Sequence, residues 1–252
     1  MIEDAGKCAP GLVALPEVLH YRGPVSGFRE SAAAVPGPLT APFEDLARRL
    51  NTWILLGSVA ELSDDPDRPY NTSILLDPAG NVAATYRKQH LFDVTIENGP
   101  SDRESARTTP GTETVVALLE GAAEDSDVRL GMSVCFDVRF PELYRDLVAR
   151  GASILAVPAN FTEATGRDHW EVLLRARAIE NGCFVIAPAQ CGMGGGILTH
   201  GRSMIVDPWG VVLAQAPDGP GYVVADLDLD RVHAIREQLP TQPHRWAAGK
   251  SQ

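Results

Sequence analysis

The sequence predicts an α/β protein made of two related halves, each a mixed sheet covered by helices, and three observations predict it. Residues 73–82 read SILLDPAGNV and residues 203–212 read SMIVDPWGVV. Both are strand, Asp-Pro-x-Gly turn, strand, with Pro pre-setting the turn and Gly free to take positive φ. Each unit follows an amphipathic helix and an apolar strand, PFEDLARRLN with TWILLGSVAE in one half and HWEVLLRARAIENG with CFVIAPAQCG in the other. Upstream again, LVALPE (12–17) and SILAVPAN (153–160) are apolar strands that run into a proline. Turns alone match by chance; four elements matching in order are a repeat.

The second half opens one element earlier, with a strand and helix over residues 128–150. By analogy the first half should open with an equivalent strand and helix of about 25 residues before Leu12. Only MIEDAGKCAPG precedes it, enough for a frayed helix end. The expectation is therefore that the first strand and most of the first helix are missing, through a misplaced start, a truncation or real loss. The strand at 12–16 would then expose an unpaired edge.

At 252 residues, 44% hydrophobic and 22% charged, the chain can bury a large core, and residues 1–252 read as a single domain. A net charge of -11 argues against a nucleic-acid surface or an anionic membrane as partner. No apolar run approaches the roughly 20 residues of a membrane span, and no signal peptide opens the chain. Cys8, Cys135, Cys183 and Cys191 show neither Cys-x-x-Cys spacing nor paired histidines, so no metal and no disulfide framework is expected. The chain reads as reduced and cytoplasmic.

The segment VRLGMSVCFDVRFPELYRDLVARG (128–151) places Cys135 at the end of a strand, before a polar turn and a helix that Pro141 opens and Gly151 closes. Free N–H groups and the helix dipole at such a place lower a thiol's pKa, so the expectation is a reactive thiolate. The plainer alternative is a small buried hydrophobe. Glu17 directly follows the strand ending at Pro16, and Lys88 follows the hairpin strand 82–86. Glu104 lies in the polar loop DRESARTTPG. Singly these read as surface charges. Together they supply what acyl transfer through a thiol needs: a carboxylate to move protons, an ammonium to hold an oxyanion, and a sulfur nucleophile.

With LPE, YRKQHLFD and CFDVRFPE in this order, the chain resembles the nitrilase superfamily of carbon–nitrogen hydrolases, from about residue 3 onward. HWEVLLRARAIEN and GRSMIVDPWG extend the likeness. The resemblance implies a four-layer αββα sandwich, homodimers in which two sandwiches stack, and a Glu-Lys-Cys triad without cofactor. It maps Glu17 as general base, Lys88 as oxyanion stabiliser, Cys135 as nucleophile and Glu104 as the glutamate that positions the lysine. The N–H of Phe136 would complete the oxyanion hole. Cys-Phe-Asp-Val-Arg-Phe-Pro-Glu, instead of Cys-Trp-Glu, is similar to the Nit branch of amidases, within which HWEVLLRARAIENGCFVIAPAQCG and HGRSMIVDPWGVVLA most resemble the deaminated glutathione amidases. Omega-amidases and N-carbamoyl amidohydrolases are the alternatives. Arg139, Asn160 and Arg202 are candidates to contact an anionic small-molecule amide. An inactive scaffold, or an acyltransferase of the same fold, stays open at this stage.

Other features have plainer readings. His90, His169 and His244 are expected to pack and hydrogen-bond, and Arg175 and Arg177 to ion-pair within the fold. Trp170 and Trp209 are expected in the core or an interface, and GMGGG (192–196) forms a mobile loop near the pocket rather than a phosphate loop.

Overall fold

A computed structural model of the chain describes residues 1–95, 101–122 and 127–241. Helix α1 (Ile2–Gly6) leads into strand β1 (Leu12–Ala14), followed by helices α2 (Val25–Glu30) and α3 (Ala41–Leu50). Strands β2 (Trp53–Glu61), β3 (Tyr70–Leu76) and β4 (Val82–Arg87) complete the first sheet in the order β1-β2-β3-β4. A small ribbon of β5 (Asp93–Thr95) and β6 (Ser101–Arg103) follows.

The second sheet is built from β7 (Val116–Leu118), β8 (Arg129–Met132), β9 (Ile154–Ala156), β10 (Phe184–Ala187), β13 (Met204–Val206) and β14 (Val212–Gln215). Between these lie α4 (Pro141–Ala149), α5 (Glu163–Asn181) and a hairpin of β11 (Cys191–Gly194) and β12 (Ile197–His200). Helix α6 (Asp230–Gln238) comes last.

The expected repeat is visible in the pairing. β1 runs parallel to β2, which pairs antiparallel with β3, then β4; β9, β10, β13 and β14 repeat that order and those directions. Both Asp-Pro turns are built alike, with Asp77 and Asp207 each accepting backbone N–H bonds across the turn. The sheets face each other. Trp53, Leu55, Leu75 and Tyr86 meet Leu130, Met132, Ile154 and Phe184 in one core, while Ile54, Leu56 and Ile74 point outward beneath Leu46 and Ala47 of α3. Alternate residues of β2 thus serve two cores, which is why its sequence is an unbroken apolar run. With α4 and α5 packed on the second sheet, the layers are αββα.

The second sheet carries β8 parallel to β9 on the side where, among the described residues, β1 has no strand neighbour. An apolar cavity of about 1060 Å³ borders that lane, lined by residues of β1 and by 219–225. Some of the sequence reading needs correction. The strand before Cys135 is shorter than expected, α5 begins six residues before the first histidine of its motif, and β7 was not anticipated. The glycine-rich stretch at 192–196 is a hairpin, not an open loop.

Candidate active site

Glu17 is set by the backbone beneath it. β2 bulges between Leu56 and Val59, and at Gly57 a Cβ would collide with the Leu15 and Pro16 backbone, so only glycine lets the chain after β1 lie this close. Ser58 then anchors the next turn, its hydroxyl accepting from Val18 N at 2.9 Å and its carbonyl from Leu19 N at 3.1 Å. Gln190 Nε2 donates to the Glu17 carbonyl from the other half, at 2.9 Å. The carboxylate is thereby fixed in the interior, 3% exposed.

Lys88 arrives from β4. Its N–H donates to the Asn71 carbonyl at 2.9 Å, and its carbonyl accepts from Gly111 N at 2.8 Å. Its ammonium donates to Glu17 Oε1 at 3.0 Å and to Glu104 Oε2 at 2.9 Å. Asn71 Nδ2 bridges the same two carboxylates at 2.9 and 3.3 Å. Phe92 N donates to Glu104 Oε2 at 2.6 Å, and Asn160 N to Glu17 Oε2 at 2.7 Å. Burial opposes charge on Lys88, but Glu104 and Glu17 outweigh it and hold its pKa well above the ordinary value.

Cys135 sits where the strand ends and a single 3-10 turn (Cys135–Arg139) begins, with φ of 49°. That left-handed conformation is strained for a side-chain-bearing residue and clusters at functional positions. The fully buried Asp137 holds the turn, accepting from Val134 N (2.8 Å), Tyr86 Oη (2.7 Å) and His90 N (3.0 Å), with His90 Nδ1 at 2.8 Å. The Glu17 carboxylate and the Asn160 N–H form the polar surroundings of the thiol. Its pKa departs from the sequence expectation. Burial and the Glu17 charge push it well above the usual thiol range, against the smaller pull of Lys88. This environment therefore favours the protonated thiol over the thiolate.

Glu17, Lys88, Glu104, Cys135, Phe136 and Asn160 all line one cavity of about 160 Å³, roofed by Phe92, Phe161, Arg22 and Gly194–Gly195. Arg139 lies beside it, its guanidinium 5.8 Å and 5.1 Å from the Phe136 and Phe161 ring centres. Arg202 does not join them. Its guanidinium pairs with Asp218 at 3.1 and 3.3 Å, and it lines the larger cavity instead.

His90 stacks on Phe140 and binds Asp137, and His169 accepts from Arg139 Nη1 at 3.2 Å; His244 lies outside the described residues. Arg175 and Arg177 pair with Glu171 and Glu180, Trp170 is buried, and Trp209 is 49% exposed. Sequence reasoning missed Asn71, Asp137 and Arg22. A polar residue inside the apolar strand YNTSILL was a readable signal for the first. Among the described residues no group of His, Cys, Asp and Glu side chains could hold a metal.

The geometry is that of a buried acid–ammonium–thiol cluster, and comparison with known proteins shows the same family. The carbon-nitrogen hydrolase family model matches residues 1–237. The chain belongs to the carbon–nitrogen hydrolase family. This hydrolase is 42% identical over 247 residues to a deaminated glutathione amidase from Synechocystis sp., covering 97% of this chain and 89% of that protein. The crystal structure of the Caenorhabditis elegans NitFhit protein superposes with a TM-score of 0.86 at 39% identity, over 98% of this chain and 59% of that one. A variant of the amidase from Nesterenkonia sp. AN1, with acrylamide added at its active site cysteine, has a TM-score of 0.74 at 28% identity, over 95% and 90% of the two chains. The fold is thus the αββα sandwich of the nitrilase superfamily, and the chain is an amidase-type hydrolase of amide C–N bonds.

Proposed function

We propose that this hydrolase cleaves deaminated glutathione, N-(4-oxoglutaryl)-cysteinylglycine, to 2-oxoglutarate and Cys-Gly through a thioester on Cys135. The observation that carries the reading is the convergence of Glu17, Lys88, Glu104 and Cys135 on one cavity. The likeness to amidases of that name supports the substrate.

In this mechanism the Cys135 thiol gives its proton to Glu17 as the sulfur attacks the amide carbonyl. Removing the proton in the same step suits a thiol that is not ionised at rest. Lys88 and the Phe136 N–H stabilise the tetrahedral oxyanion, with Glu104 holding the ammonium in place. Glu17 returns the proton to the departing amine, the C–N bond breaks, and an acyl thioester remains. Water deprotonated by Glu17 then attacks the thioester, releasing the acid and restoring the thiol. Arg139 and Asn160 contact the anionic substrate.

Intact-mass spectrometry of protein mixed with the substrate tests this: a transient adduct of the oxoglutaryl mass on the peptide holding Cys135 is expected. Turnover of 2-oxoglutaramate alone, with deaminated glutathione untouched, would replace this reading by the omega-amidase one. Ready transfer of the acyl group to added amines instead of water would make it an acyltransferase.

The whole chain acts as one domain in this reading, in the cytoplasm, where four unpaired cysteines stay reduced; cell fractionation reads that location directly. It works as a homodimer. Val172 and Ile179 on α5, 65% and 47% exposed, join Trp209, Val211 and Leu213 of the neighbouring hairpin in an apolar face suited to a second copy. Sedimentation should give a dimer that Val172→Glu converts to monomer; a monomeric wild-type protein would refute this.

A further inference from the structure

Two arginines, Arg22 and Arg107, line the catalytic cavity and Arg139 lies beside it, and their charge partners differ. Arg107 is neutralised by both oxygens of Asp102, at 2.6 and 2.7 Å. Arg139 faces aromatic rings and a histidine. Arg22 lines the cavity with neutral partners only. Its Nη1 donates to the Cys191 carbonyl at 2.7 Å, and its Nη2 to the Gly192 carbonyl at 3.2 Å and Thr199 Oγ1 at 3.1 Å. Among the described residues no carboxylate pairs with it. Burial lowers its pKa, opposed only by the Cys191 sulfur.

A half-buried guanidinium without a counter-ion is unfavourable unless an anion arrives to pair with it. The hairpin β11–β12 is nonetheless shaped to hold it. A Cβ on Gly194 would come within 2.8 Å of Arg22 Nε, and Gly195, at φ 57°, leaves room for the Gly23 carbonyl. Two glycines thus let this hairpin close over residues 22–24, and both line the same cavity. Three of the five guanidinium N–H groups are used by these bonds, leaving two, on Nε and Nη1, for a ligand.

The charge inside the cavity gives the reason for such a residue. Glu17 and Glu104 outnumber Lys88, so the cluster repels an anionic substrate. Arg22 and Arg139 reverse that balance from outside the cluster, without touching its proton chemistry.

We infer that Arg22 is a specificity-determining residue that takes one of two carboxylates on the amide substrate, so that the enzyme selects amides with an anionic group on each side of the scissile bond. The inference rests on the amidase reading above and adds the residue and the chemistry it selects. Arginine suits the task because its guanidinium stays charged when partly desolvated and keeps N–H groups to give to a carboxylate.

The test is calorimetric titration of Cys135→Ala protein, which binds without turning over. The ligands are N-glutaryl-alanylglycine and its two monomethyl esters. Adding Arg22→Gln should weaken the diacid about ten- to hundredfold, as loss of a bond to a charged partner does. The same change should leave one ester unaffected, because that ester has already lost the carboxylate Arg22 receives. Arg22→Lys should fall between. Equal weakening of all three ligands would make Arg22 a prop for the hairpin and overturn the inference. So would no weakening of any, or no binding of the diacid by the parent protein. Turnover by wild-type enzyme is read separately, so failure of the amidase reading would not be mistaken for failure of this one.

Discussion

Cys135→Ala is expected to lower amide turnover by about six powers of ten, the scale on which a covalent nucleophile is lost, with the fold intact. The replaced side chain is small and alanine meets the same positive φ, so a stability change near about 1 kcal/mol, or about 2–4 °C in melting temperature, is expected. The raised thiol pKa adds a sharper test. Alkylation by iodoacetamide needs the thiolate, so its rate at Cys135 should keep climbing as pH passes the ordinary thiol range. Glu17→Gln removes one of the two main causes of that elevation. The variant should therefore ionise Cys135 at lower pH than wild type while turning over amides about a hundred- to ten-thousandfold more slowly, since it has lost its base. A wild-type alkylation rate already level near neutrality would mean a resting thiolate. That would sink the coupled attack in which Glu17 takes the proton.

The surroundings of Cys135 differ from what its local sequence leads one to expect, and the difference shows where sequence was informative. The spacing of apolar runs, prolines and Asp-Pro turns was enough for two mixed sheets, because those signals act over a few residues. The strand–turn–helix around Cys135 was legible for the same reason, with Pro141 at the first turn of α4 and Gly151 at φ 96° just past its end. Its electrostatics were not, since Glu17 lies far away in sequence and burial is a property of the closed fold. Arg202 shows the same limit. It is separated from Gln190 by only a short hairpin, yet its side chain turns away to Asp218, while Arg22, from an unremarkable turn, faces the cavity. Asn71 and Asp137 are support residues, and only the three-dimensional arrangement reveals what they support. The acid, ammonium and sulfur stand assembled in a protein of this family, and turnover of an amide is what separates it from an inactive scaffold.

Lys88→Met is expected to damage stability and catalysis together, and for separable reasons. The ammonium is 3% exposed and lies between two carboxylates that also share Asn71 Nδ2. Deleting it leaves Glu17 and Glu104 facing each other with no cation between them. Removing one partner of a buried ion pair costs about 3–5 kcal/mol, which at this chain length corresponds to a melting temperature lower by about 6–20 °C. The sign with pH follows from the like-charge contact. Two crowded carboxylates raise the proton affinity of the pair, so the folded variant takes up a proton that the unfolded chain does not yet hold. The deficit against wild type should accordingly shrink as pH falls from about 8 toward about 5. Turnover should drop by at least a further hundred- to thousandfold at temperatures where the variant remains folded, the usual loss for one oxyanion donor. A variant that melts like wild type would show that water, not Lys88, satisfies the two carboxylates. A folded variant with unchanged turnover would remove the ammonium from the oxyanion site and leave the backbone N–H groups to stabilise the intermediate alone.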